Sequence, residues 1–70
     1  MTNEAGSYER TRAAILRADQ SFHDREKTWR FLLSDHPMLD RKPWDMVIES
    51  EAGLKEVIDL LDRADAGIPL

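Results

Sequence analysis

The chain of 70 residues contains no cysteine. That absence excludes a disulfide framework, a thiolate metal site and a cysteine nucleophile. Glycine is scarce, and the three present (Gly6, Gly53, Gly67) are scattered, so no Gly-rich loop can cradle a phosphate. Long hydrophobic runs are missing too. Stretches such as Phe31-Leu32-Leu33 and Met46-Val47-Ile48 fall far short of a membrane span. The opening MTNEAGSYER has neither the basic stretch nor the apolar core of a signal peptide. A soluble, cytoplasmic protein with no membrane association is expected.

What the sequence does contain is charge and helical spacing. Apolar residues make up 41% of the chain, enough for one small core near the lower limit of independent folding. A partner surface is therefore a reasonable source of extra stability, and self-association through the first helix is one form it could take. The net charge of −4 is uneven: residues 1–34 carry six basic and five acidic groups, residues 35–70 four and nine. An acidic second half opposes binding to a phosphate backbone and favours a basic partner or a solvated surface.

No run alternates with period two, and no repeat or low-complexity tract occurs, so the fold class expected is all-α, a compact small domain of about four helices. The first helix should begin near Asn3 or Ser7 and end around Asp19 to Ser21, with Ala5, Tyr8, Ile15, Leu16 and Phe22 as its apolar positions. A second, about 24–34, has Ser21 or Asp24 as its N-cap and Trp29, Leu32 and Leu33 as its buried face. A short third helix starts at Pro43, whose fixed φ suits the first helical position, and stops around Ser50. The fourth, about 51–66, places Leu54, Val57, Ile58, Leu61 and Ala64 at the 3.6-residue period. Gly67 is suited to the left-handed position past its last turn, and Pro69 prevents resumption. Stretches 34–43 and 49–53 punctuate the helices.

Catalytic and metal chemistry find little support. His23 and His36, the two histidines, lie thirteen apart with no second nitrogen ligand at helical spacing, so no metal site is expected. Asp35, Asp40 and Asp45 straddle a loop and suit turns and a helix start better than an acid–base pair. No serine sits in a nucleophile elbow. No enzyme activity and no cofactor are expected. Trp29 reads as core; Trp44, after a proline, could lock the loop on the core or anchor a partner.

The order of the punctuation carries more. Phe22-His23-Asp24-Arg25-Glu26-Lys27, Phe31-Leu32, His36-Pro37-Met38-Leu39, Pro43-Trp44-Asp45-Met46, Glu51-Ala52-Gly53, Val57, Leu60-Leu61, Arg63 and Gly67-Ile68-Pro69 together resemble the toxin-binding domain of Xre-, MbcA- and ParS-type antitoxins. The family pattern runs Phe-Gly-Asp, Glu-Lys-Ala, Trp-Leu, Asn-Pro-x-Leu, Pro-Leu-Asp-Leu, Glu-x-Gly, then Val, Leu-Leu, x-Arg and a final Gly. Here His23 replaces a usual Gly, Phe31 a Trp, His36 an Asn and Trp44 a Leu. The resemblance covers residues 20–70 and leaves 1–19 as an N-terminal helix or extension. Family members commonly carry a helix-turn-helix upstream; about twenty residues precede the match here, so direct DNA binding is not expected.

The resemblance implies an antitoxin that occupies a cognate toxin, commonly a RES-domain enzyme that consumes NAD, and obstructs its active-site cleft with its C-terminal part. The C-terminal residues expected to form the plug are Arg63, Asp65, Gly67, Ile68, Pro69 and Leu70. Trp44 and Asp45, just after the turn that precedes the third helix, are further candidates for partner contact. Two alternatives stand: the last residues are a frayed terminus, and the chain is a helical interaction or oligomerisation module with no toxin partner.

Overall fold

The computed structural model describes residues 3–67, with side chains from Gly6 onward. Four helices form the domain: α1 (Asn3–Phe22), α2 (Arg25–Leu32), α3 (Pro43–Glu49) and α4 (Glu51–Asp65). Among the described residues there is no strand, and a single isolated bridge joins His36 to Arg41. The expected all-α fold is what the chain adopts.

α1 lies against all three other helices. Of its expected apolar positions Ile15 and Phe22 pack against the core, but the fully buried seam lies elsewhere. Ala14 and Ala18 are fully buried, while Tyr8 and Leu16 are 65% and 51% exposed. Alanines four apart let α3 and α4 approach closely, and that proximity, rather than side-chain size, buries them. Arg10, one turn earlier, continues the seam as a polar cap: its Nε donates to the Val47 carbonyl at 2.8 Å and its Nη2 to that of Ile48 at 2.6 Å. Those carbonyls end α3 and would otherwise lack intrahelical partners.

α1 stops because His23 takes φ 55°, its N–H donating to the Asp19 carbonyl at 2.8 Å. Asp24 then caps α2, its carboxylate accepting from the amides of Glu26 and Lys27 at 2.9 and 3.4 Å. Ser21 is not the cap; it still belongs to α1. α2 buries Leu32 as expected, but Leu33 points outward and fully buried Thr28 takes its place. Thr28 is tolerated there because its hydroxyl donates to Asp19 at 2.6 Å, and Asp19 also accepts from Arg25 Nε at 2.9 Å.

Between α2 and α3 the chain turns around His36. Its carbonyl accepts from the Asp40 amide at 2.7 Å, its Nδ1 from the Met38 amide at 3.1 Å, and its N–H donates to the Arg41 carbonyl at 3.2 Å. Asp40 occupies the left-handed region at φ 63°. Pro43 opens α3 and is buried. The expected break at 49–53 contracts to Ser50 alone, whose hydroxyl accepts from the Gly53 amide at 3.0 Å. α4 buries Leu54, Val57 and Leu61 as its period implies, and Leu60 with them. Ile58 is half-buried and Ala64 exposed, because the core ends before the last turn of α4.

Candidate functional site

The residues singled out from sequence fall into two places. Trp44 and Asp45 open α3; Arg63, Asp65 and Gly67 end the described part of α4. Ile68, Pro69 and Leu70 lie outside the described residues. Among the described residues no hydrogen bond or ion pair joins the two groups.

Trp44 packs against Trp29, ring centroids 5.3 Å apart at 54°, and both are half-buried against the core. Tilted rings at this separation avoid the unfavourable face-to-face sandwich of the aromatic quadrupoles. Asp45 is exposed in the first turn of α3, where the helix dipole favours a carboxylate. The guanidinium of neighbouring Arg41 grips Glu49 at 2.9 and 3.3 Å and is held charged by that contact, with smaller help from Asp45 and Glu56.

At the other end, Arg63 pairs with Asp59 one turn back at 3.3 Å. It borders a shallow concavity of about 170 Å³ in which Glu56 and Asp59 rim an apolar floor of Met38, Leu39 and Leu60. Asp59 is already paired with Arg63 there, which leaves the Glu56 carboxylate, among the described residues, as the unpaired charge beside these aliphatic side chains. Asp65 is engaged within the chain. Arg17 Nη2 donates to it at 2.8 Å and to Asp62 at 2.7 Å, Arg17 Nη1 donates to the Ser21 hydroxyl at 2.8 Å, and that hydroxyl donates to Asp65 at 3.0 Å. Arg17, then Ser21, hold the Asp65 carboxyl below the usual carboxylate range; Asp62, then Asp65, raise the Arg17 guanidinium. Gly67 has φ 83°, and a Cβ there would meet nothing within 4 Å. The left-handed position expected past the last turn is where Gly67 stands.

Histidines and carboxylates do not converge. Among the described residues no group of three or more His, Cys, Asp or Glu is placed to hold a metal ion, and no helix is long and apolar enough to cross a membrane. His36 is a turn residue whose ring meets Phe31 edge-on at 6.0 Å. Among the described residues no side-chain hydrogen bond pairs a serine or threonine hydroxyl with a histidine.

The whole path from Arg17 through the last turn of α4 coincides with a family match: residues 17–67 fit the model of the antitoxin Xre/MbcA/ParS C-terminal toxin-binding domain. The chain belongs to this antitoxin family. No curated protein and no solved structure gives a significant match.

As an antitoxin toxin-binding domain, the chain has a protein partner, and several pattern residues acquire physical reasons. The position where the pattern has glycine and this antitoxin His23 is left-handed. Gly53 is required by close helix approach: a Cβ there would lie 2.7 Å from the Met46 carbonyl carbon. The Leu60-Leu61 pair is buried. Reading the sequence missed Arg17 and Ser21. Their spacing of four on α1 was visible, but their acidic partners are 44 to 48 residues away, and only folding shows that pairing.

Proposed function

We propose that this antitoxin domain neutralises a RES-domain, NAD-consuming toxin by inserting its C-terminal part into the toxin's active-site cleft. Arg63, Asp65, Gly67, Ile68, Pro69 and Leu70 form the inserted part, and Trp44 and Asp45, at the start of α3, make a second contact with the toxin. It acts in the cytoplasm, where NAD is available to such a toxin.

The observation that carries the reading is the form of the α4 terminus. The core ends at Leu61, the next turn is exposed and bears Asp62 and Asp65, and Gly67 stands in the left-handed region at φ 83°. A cleft that receives a dinucleotide pyrophosphate is electropositive, and an anionic turn with an adjoining carboxylate-rimmed concavity complements its edge. Complementarity of this kind chiefly sets encounter rate and register.

Deleting residues 67–70 should abolish neutralisation in cells that co-express a RES-domain toxin, while far-ultraviolet circular dichroism stays nearly unchanged. Full protection by the truncated chain would overturn the plug.

A further inference from the structure

The last turn of α4 has no apolar anchor. Leu61 is the final buried residue of the helix, and every described residue from Asp62 to Gly67 is exposed. Among the described residues, the tertiary hydrogen bonds and ion pairs made by this turn run to two side chains of α1, Arg17 and Ser21. Asp62 and Asp65, three apart, face the same side of the helix. One guanidinium spans them: Nη2 reaches both, Nε adds a second contact to Asp62 at 3.2 Å, and Nη1 turns back to Ser21. The Ser21 hydroxyl closes the ring onto Asp65.

We propose that Arg17 is a positioning residue of this antitoxin: by gripping Asp62 and Asp65 from α1 it fixes the direction in which the chain leaves α4, and so aims the C-terminal segment at the toxin. The inference rests on the reading that this segment meets the toxin; the grip itself does not.

Three features favour orientation over bulk stability. The carboxylates are 58% and 44% exposed, and pairs that open to water add little to global stability. The Arg17 side chain is only 19% exposed, and its Nη1 donates to Ser21 one turn on along α1, which orients the fork from its own helix. The clamp also sits directly before Gly67, whose φ of 83° takes the backbone out of the helical path. A lysine would keep the charge but not the planar fork that serves Asp62, Asp65 and Ser21 together.

The test uses the full chain and two readouts. In the first, amide hydrogen exchange is followed for Arg17→Gln, Arg17→Lys and the parent. The glutamine variant should exchange about tenfold faster at Ala66 and Gly67 while Val57 and Leu61 are unchanged, and lysine should fall between. Unchanged exchange in the last turn would show that Arg17 does not hold it. In the second, affinity is measured for a catalytically inactive RES-domain toxin. Arg17→Gln should bind about tenfold more weakly with little change in Tm, and Arg17→Lys should recover part of the loss. Equal binding by the glutamine variant, or a loss that simply tracks Tm, would overturn the positioning role. Failure of the parent chain to bind the toxin would instead remove the functional proposal, with the exchange readout still deciding the grip.

Discussion

Gly53 and the carbonyl of Met46 stand so close that a Cβ added to the glycine would overlap the carbonyl group. The clash is with backbone, so no side-chain rotation relieves it. The contact follows from the one-residue joint between α3 and α4, which folds the second helix back over the last turn of the first.

Gly53→Ala should therefore force α3 and α4 apart, although alanine is the better helix former by about 1 kcal/mol. Overpacking against backbone outweighs that preference, and a loss of about 2–4 kcal/mol is expected. In a domain this small such a loss lowers Tm by roughly 15–25 °C, readable by circular dichroism. A neutral or stabilising alanine would mean that the helices are not packed at this distance.

His23 offers the opposite case. It holds φ 55° at the end of α1, a conformation that costs a residue with a side chain about 1–2 kcal/mol. Removing the side chain relieves this cost but adds freedom to the unfolded chain. His23→Gly should thus leave stability unchanged or raise it by up to about 1 kcal/mol. His23→Val, whose branched Cβ tolerates this region poorly, should lower it by a similar amount or more. Urea midpoints for the two variants decide the point; an equal effect from both would contradict it.

Acid should loosen the domain at two identifiable corners. Hydrogen bonds from Arg25 and then Thr28 hold the Asp19 carboxyl below its ordinary range, and those from Arg17 and Ser21 do the same for Asp65. Both groups have folded-state pKa values below the unfolded ones. Their stabilisation is therefore complete above the unfolded carboxyl value of about 4 and is lost as pH falls through the folded values. Stability measured from pH 6 downward should stay flat in this respect to about pH 4, then decline. Asp19→Asn should be less stable at neutral pH and show a shallower acid decline. An acid profile identical to that of the parent would exclude Asp19 as a contributor.

The features legible in the sequence were those carried by neighbours along the chain. Asp24 as one of two caps offered for α2, Pro43 as the first residue of α3, Gly67 as the left-handed exit and the Leu54–Val57–Leu61 face of α4 all depend on local backbone chemistry or on one helical period. The ordered set of these signals was also enough to indicate the antitoxin family, because each marks a turn whose geometry admits few residue types.

HPMLDRKPWDMV shows where such reading stops. Its hydrogen bonds make His36 the centre of a turn, which sequence alone allowed. That Trp44 would stack on Trp29, fifteen positions earlier, depended on how α2 and α3 cross. The same holds for the α1 seam. Ala14 and Ala18 carry too little side chain to stand out against Tyr8, Ile15 and Leu16, and they are buried only because α3 and α4 press against them.

Local propensity, capping and periodicity thus determined the four helices, because these are settled within a few residues. The end of α1 at Phe22 and the single-residue joint at Ser50 emerged only in the folded chain. Which faces meet, and with them the grip of Arg17 on Asp62 and Asp65 across 45 and 48 positions, was decided by tertiary packing alone. A helix surface offers several faces of similar character, and only the approach of another helix selects among them.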